Sequence, residues 1–375
     1  MKRQKGISTA WKVALCAVFG AVTIAIAQNK VIPCISLLQE AFGIDMTEAG
    51  WLSSVYNVMG IAMAFPGVII VNRLGAKKVC LISLACGILG AGVGFFARNI
   101  GLLMVGRVIE GMGAGLVSIA VPEFILQWFP PEKRGMPMGL WSSWQYIGQA
   151  VCFSVGAGIS AVYGWHGVWI FGLSLSVLAL ILNIIFVKMP TGARIEVSRG
   201  EEKEKGQIYH VLFNKNTWKI SMAIFCFCVS SFGFIAWIAS CWTKTLGISE
   251  LMANRYVSLF AAISIPMVLT VGWALDHVDR KGFCFATFIG YAGIVAAGFL
   301  LWRQELLLPF VVIYAFFESA VITALWTIIS LTVEKTSETT TAVALLTLCS
   351  NIGMLAGPPG IGMCVQQFGW EIAEA

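Results

Sequence analysis

Residues Val68–Lys78 read Val-Ile-Ile-Val-Asn-Arg-Leu-Gly-Ala-Lys-Lys, a short basic segment with a glycine between two long apolar runs. A second segment of the same kind, Gly272–Lys281, reads Gly-Trp-Ala-Leu-Asp-His-Val-Asp-Arg-Lys. Lys77 and Lys281 are 204 residues apart. Two copies of one loop at a fixed spacing predict two copies of one helical bundle.

The composition is that of a polytopic membrane protein. Of the 375 residues, 58% are hydrophobic and 12% are charged, whereas soluble proteins carry roughly 25% charged residues. Continuous apolar runs of roughly 20 residues, each long enough to cross the membrane as a helix, favour helices over a barrel. We count eleven spans, which are 12–35, 47–70, 79–97, 101–123, 136–160, 163–187, 218–242, 252–275, 283–302, 306–332 and 341–364.

The positions of the basic residues predict the orientation of these spans. With the N-terminus in the cytoplasm, 19 of the 25 Lys and Arg residues fall at cytoplasmic ends or loops and 6 fall elsewhere. This asymmetry is the one that membrane insertion favours. We therefore expect a multi-pass protein of the cytoplasmic (inner) membrane with a cytoplasmic N-terminus, in contact with lipid and not with nucleic acid.

A repeat divides the chain into two bundles. Gly43 and Gly247 share the 204-residue shift, and with one extra residue Gly164 matches Gly369. We predict an N-terminal six-helix bundle at 1–188, a polar cytoplasmic linker at 189–217 and a C-terminal bundle of five helices at 218–375. Five residues follow Trp370, where a twelfth span is expected to begin, so we interpret the sequence as truncated.

The layout and the repeated loop resemble the major facilitator superfamily, in which this loop has the pattern G-x-x-x-D-[RK]-x-G-[RK]-[RK]. The resemblance implies an all-α membrane fold of two six-helix halves related by a pseudo-two-fold axis, with the twelfth helix missing here. In the family such loops lock the cytoplasmic face. The gating residues expected from it are Asn72 (where the family has Asp), Arg73, Gly75, Lys77, Gly272, Asp276, Arg280 and Lys281.

A second family motif, R-x-x-[QE]-G-x-G-[AG], matches Arg107–Ala114 in span 4. Arg107 and Glu110 are three residues apart, so they share one face of a helix. Charges inside a membrane are costly and are expected to be paired and to face the interior. The pair either is structural or also holds an anionic substrate or a proton.

Lys30 lies near the outer part of span 1, beside Gln28 and Asn29 and before Pro33. Its side chain either reaches the outer surface or belongs to a polar binding cluster with Asn29. A basic residue here also resembles the cyanate/nitrite-like and organic-anion branches of the superfamily.

Glu318 lies about 12 residues into span 10, with no charged neighbour in sequence. An intramembrane carboxylate of this kind indicates a functional site, and we expect Glu318 to bind substrate or carry a proton. A structural ion pair with Arg107 or Lys30 is the alternative. Gln145 and Asn351 are further polar positions that could line a cavity.

The sequence and the resemblance together predict a secondary active transporter, not an enzyme. We expect a monomer that moves a small anionic solute by alternating access, in symport with protons, without cofactor or metal. Two alternatives stay open: an efflux carrier for apolar or cationic compounds, and an inactive truncated transporter.

Overall fold

The structure, a computed structural model, describes residues 2–63, 66–129, 135–187, 214–275, 280–328 and 336–370. These residues form helices joined by short turns, and the described part of the chain contains no strand. Two short 3-10 segments and one π-helical segment are Ile32–Cys34, Gln304–Leu306 and Cys152–Gly156. The α-helices are α1 (Lys2–Asn29), α2 (Ile35–Phe42), α3 (Met46–Ser54), α4 (Tyr56–Met63), α5 (Pro66–Leu74), α6 (Ala76–Phe95), α7 (Ile100–Trp128), α8 (Gly135–Ser142), α9 (Trp144–Val151), α10 (Ala157–Phe186), α11 (Lys215–Thr245), α12 (Glu250–Leu275), α13 (Arg280–Gly298), α14 (Leu307–Ile328) and α15 (Thr336–Phe368).

Eight helical stretches among the described residues are long and apolar enough to cross a membrane. The predicted count of eleven differs at three places. The second span consists of α3, α4 and α5, and the ninth contains a shorter apolar helix, Thr287–Gly298. The fifth and sixth spans run together in one stretch, Trp144–Phe186. Gly164 divides that stretch, because its φ of 66° and ψ of −172° are not helical.

Backbone conformation repeats at the spacing expected from the sequence. Gly43 and Gly247 end helices with φ values of 63° and 68°, and Gly164 and Gly369 have φ values of 66° and 80°. Glycine adopts this left-handed conformation without the steric strain that a Cβ would add. The glycines that reveal the repeat in the sequence therefore mark equivalent turns.

The chain divides into two compact units. The first comprises residues 1–44 and 55–197, and the second comprises residues 45–54 and 198–375. This division differs from the predicted bundles at α3, which belongs to the second unit. Residues 188–213, which include most of the predicted linker, lie outside the described residues, and α11 begins at Lys215.

Glycines set the close packing of the first unit. A Cβ on Gly90 of α6 would lie 2.5 Å from the Gly106 carbonyl oxygen of α7, and a Cβ on Gly111 would lie 2.2 Å from the Tyr56 carbonyl oxygen of α4. Both distances are too short for any side chain. These contacts fix α7 against α6 and α4, as small residues do between membrane helices.

Glycines also allow close contacts between helices in the second unit. A Cβ on Gly353 or Gly357 of α15 would lie 2.6 Å or 2.4 Å from carbonyl oxygens of α11. α3 packs on the same helix, where a Cβ on Gly50 would lie 2.6 Å from the Pro358 carbonyl oxygen. The indole of Trp237 donates to that oxygen at 2.8 Å.

Candidate functional site

The site begins where α1 ends. Lys30 and Val31 form a turn after Asn29, and Pro33 lies in the 3-10 segment that follows. Proline has no N–H and cannot continue the helical hydrogen-bond ladder. The last backbone hydrogen bond of α1 runs from Lys30 N to Ile26 O at 3.0 Å. The next carbonyls, those of Ala27 and Gln28, are at the helix end, where such groups need partners from elsewhere.

Arg107 of α7 supplies those partners. Its Nη1 donates to Ala27 O, and its Nη2 donates to Gln28 O at 2.7 Å. A cation at the carbonyl end of a helix is favourable because the carbonyl dipoles point toward it. The ring of Tyr56 lies 4.7 Å from the guanidinium carbon, a cation–π distance.

Glu110 joins Arg107 to Lys30. One carboxylate oxygen accepts from Arg107 Nη1 at 2.7 Å, and the other accepts from Lys30 Nζ. Lys30 is fully buried, and Arg107 and Glu110 are each 1% exposed. Lys30 therefore does not extend to the outer surface, and the alternative that it does so is wrong. We call Lys30, Arg107 and Glu110 the charged cluster.

The charged cluster holds two cationic side chains and one carboxylate. When all three are ionised, it carries one positive charge that Glu110 does not balance. A buried charge without a counter-ion is strongly unfavourable. Hydrogen-bond donors also remain for a further group, since Arg107 Nε has no partner among the described residues. The cluster is therefore suited to an anion.

Aromatic and polar groups of α1, α4 and α10 lie beside the cluster. The Trp169 ring of α10 lies 4.3 Å from Lys30 Nζ. Gln28 Nε2 donates to Asn57 Oδ1 at 3.1 Å, and Asn29 Nδ2 donates to Ala25 O at 2.9 Å. Tyr56, Asn57 and Trp169 could not be predicted as site residues from the sequence, because each lies in an apolar helix and no neighbouring residue distinguishes it.

The remaining predicted residues lie apart from these hydrogen bonds. Gln145 is half-buried on α9. In the second unit Glu318 is 5% exposed, and its Oε1 accepts from Ser231 Oγ at 3.5 Å. Asn351 Nδ2 donates to Thr347 O within its own helix at 3.0 Å. The second unit therefore places a hydroxyl beside a buried carboxylate.

The sequence pattern of the family described as Major Facilitator Superfamily matches residues 17–358. The chain belongs to the Major Facilitator Superfamily. This confirms the predicted family and fold class. Proteins of this superfamily are transporters rather than enzymes.

Two curated relatives and one solved structure are similar to this superfamily member. A putative niacin/nicotinamide transporter of Bacillus subtilis is 24% identical over 264 residues, 69% of this chain and 65% of that protein. The hexuronate transporter of the same organism is 24% identical over 69% of this chain and 67% of its own length. The chain thus matches about two thirds of each relative.

The solved structure is a bacterial homologue of the human lysosomal transporter Spinster, in an inward-facing and unoccupied conformation. It has a TM-score of 0.76 at 19% identity, and the match covers 96% of this chain and 83% of that one. At this identity the likeness shows the fold.

The gating loops of the superfamily are only partly described. Gly75 joins α5 to α6 with a φ of 81°, Arg73 is exposed and Lys77 is half-buried. Asp276 lies outside the described residues. Gly272 lies in α12, and no side-chain position is described for Asn72, Arg280 or Lys281. The gating role of these loops stays a prediction.

The charge count predicts an unequal effect of two substitutions. Glu110→Gln leaves two buried cations without a carboxylate, and removing one member of a buried ion pair costs about 3–5 kcal/mol. Lys30→Met keeps the pair between Arg107 and Glu110 and fills a similar volume. In thermal melting of the purified protein, we expect Glu110→Gln to lower the melting temperature clearly more than Lys30→Met.

The matched controls are Lys12→Met and Glu40→Gln, two exposed positions of the first unit. Each should melt close to the wild-type temperature. Equal melting temperatures for Glu110→Gln and Lys30→Met would contradict the claim that Glu110 balances two buried cations.

Proposed function

We propose that the protein is a secondary transporter that moves a small organic anion across the cytoplasmic membrane by alternating access, coupled to protons. The observation that carries this proposal is the unbalanced positive charge of the charged cluster. An anionic substrate would supply the missing counter-charge to these buried side chains. The N-inside orientation of the basic residues supports placement of the predicted loops in the cytoplasm.

The two cations of the cluster have different tasks in this proposal. Arg107 is engaged with the carbonyls of Ala27 and Gln28 as well as with Glu110. It therefore holds the end of α1 and is the less available cation. Among the described residues, Glu110 is the side chain that accepts a hydrogen bond from Lys30 Nζ, which also contacts the ring of Trp169. Lys30 is the cation that a substrate carboxylate would engage.

Glu110 acts as the internal counter-ion. Before the substrate arrives, it occupies a donor of Lys30 and so lowers the cost of burying that ammonium group. A substrate carboxylate would take its place at Lys30, while Glu110 would keep its hydrogen bond to Arg107. The substrate carboxylate then replaces Glu110 as the hydrogen-bond partner of Lys30, so that the buried ammonium group keeps a counter-ion.

The relatives support an anionic substrate. One of the two Bacillus subtilis proteins is named for niacin and nicotinamide and the other for hexuronate; niacin and hexuronates are carboxylates at neutral pH, whereas nicotinamide is uncharged. The positive cluster also argues against the alternative of a carrier for cationic compounds, because a cationic substrate would be repelled by Lys30 and Arg107 at close range. An inactive truncated transporter is the other alternative, and measurement of transport decides it.

Proton coupling is assigned to Glu318. Its carboxylate is 5% exposed in a membrane helix, close to the Ser231 hydroxyl. Carboxylates in such positions carry protons in many pumps and transporters. A proton taken up by Glu318 would neutralise its charge in one conformation and be released in the other.

Transport in proteoliposomes tests the anion proposal. Niacin and glucuronate should be taken up, whereas the uncharged nicotinamide and glucose should not. Lys30→Gln should lower the initial rate roughly 10- to 100-fold, the effect expected when a charged hydrogen bond is lost. Lys30→Arg should retain part of the rate.

The control is Lys12→Gln, an exposed position on α1, the helix that precedes Lys30, and this variant should transport like the wild type. If Lys30→Gln takes up carboxylates at the wild-type rate, Lys30 does not bind the substrate carboxylate. If the wild type takes up no carboxylate, the proposed function is wrong.

A pH gradient tests the coupling role of Glu318. Glu318→Gln cannot bind and release the proton, so the gradient should no longer drive accumulation, while exchange of labelled for unlabelled substrate continues. Glu305→Gln, an exposed position just before α14, should accumulate substrate normally. If the pH gradient still drives accumulation by Glu318→Gln at the wild-type level, Glu318 does not carry the coupled proton.

A further inference from the structure

Two amide side chains of the first unit are held next to the charged cluster. Gln28 Nε2, beside Lys30 in the chain, donates to Asn57 Oδ1 of α4 at 3.1 Å. We call Gln28 and Asn57 the amide pair. Arg107 contacts both sides of it: Nη2 donates to the main-chain oxygen of Gln28 at 2.7 Å, and the guanidinium lies against the ring of Tyr56, the residue before Asn57. The amide pair therefore borders the place proposed for the anion.

The amide pair leaves one donor group and one acceptor without partners. An amide side chain has an oxygen that accepts and a nitrogen that donates, and the bond between the two side chains uses Gln28 Nε2 and Asn57 Oδ1. Among the described residues, neither Asn57 Nδ2 nor Gln28 Oε1 has a hydrogen-bond partner. Asn57 is only 7% exposed. Polar groups that are so deeply buried are nearly always hydrogen-bonded, so the amide pair is suited to a bound ligand.

The amide pair is less deeply buried than the charged cluster. Gln28 is half-buried and Asn57 keeps a small exposed fraction, whereas each member of the charged cluster is 1% exposed or less. A substrate carboxylate at Lys30 would lie at the buried end of the site. The rest of the molecule then extends toward residues that retain some exposure, and the amide pair meets that condition.

We propose that the amide pair binds a hydroxyl group of the substrate, so that the substrate is a carboxylate with hydroxyl groups. Asn57 Nδ2 donates to the hydroxyl oxygen, and the hydroxyl group donates to Gln28 Oε1. A hydroxyl group both donates and accepts, and it therefore satisfies both free atoms. This inference rests on the proposed function, because the carboxylate of the same molecule engages Lys30.

The charged cluster and the amide pair have separate tasks in recognition. The charge of the cluster selects anions over neutral and cationic compounds. The amide pair selects among anions, because a carboxylate without hydroxyl groups leaves Asn57 Nδ2 and Gln28 Oε1 unpaired. A site with polar groups placed for a hydroxyl group discriminates against the analogue that lacks it for this reason.

Calorimetric binding to the full chain in lipid nanodiscs tests the inference, with binding to empty nanodiscs subtracted. The probes are glucuronate, a six-membered ring with a carboxylate and hydroxyl groups, and cyclohexanecarboxylate, a six-membered ring with a carboxylate and no hydroxyl group. Asn57→Leu has a similar volume and lacks the donor. It should weaken glucuronate binding about 3- to 10-fold, as expected for one neutral hydrogen bond, and leave cyclohexanecarboxylate unchanged.

Gln28→Leu provides a second variant, which removes the acceptor and should cause the same selective loss. An unchanged affinity for cyclohexanecarboxylate also shows that each variant is folded. The matched control is Gln39→Leu, a half-buried glutamine of α2 in the same unit, which should bind both probes like the wild type.

Three results would overturn the inference. Unchanged glucuronate binding in both variants would show that the amide pair does not contact the hydroxyl groups. An equal loss of both probes would show that the amide pair only supports the structure of the site. Wild-type binding of cyclohexanecarboxylate without binding of glucuronate would contradict the inference and leave the anion proposal standing. If neither probe binds, the inference is wrong, and niacin uptake decides separately whether the proposed function is wrong as well.

Discussion

The hydrogen bonds from Arg107 to the end of α1 are the interaction on which the first unit depends. Pro33 prevents α1 from continuing as a regular helix, and a break inside a membrane leaves backbone carbonyls that lipid cannot satisfy. Arg107 satisfies the carbonyls of Ala27 and Gln28. Its charge in turn requires Glu110, and the break places Lys30 where it reaches the same carboxylate.

Close packing makes this arrangement possible. Gly90, Gly106 and Gly111 let α7 approach its neighbours to distances that exclude a Cβ. The guanidinium is thus held at a fixed height along α1, against the Tyr56 ring. A cluster of three charged groups can be kept inside a membrane only when each hydrogen bond is placed in this way. When Lys30, Arg107 and Glu110 are all ionised, the excess positive charge lies on side chains that this packing holds in place.

The fold could be predicted from the sequence because hydrophobic length and glycine spacing are local signals. The pairing of Arg107 with Glu110 was predictable for the same reason, since three residues on a helix bring two side chains together. The contact of Lys30 with Glu110 joins residues 80 positions apart, and spacing cannot reveal it.

Binding of niacin or glucuronate to charge variants, measured by calorimetry, tests the central claim most directly. Lys30→Met lowers the charge of the cluster to zero and should weaken binding at least tenfold. Adding Glu110→Gln to this variant restores one positive charge, on Arg107, and should recover part of the affinity. If the double variant binds the carboxylate no better than Lys30→Met alone, the net charge of the cluster does not attract the substrate and the account is contradicted.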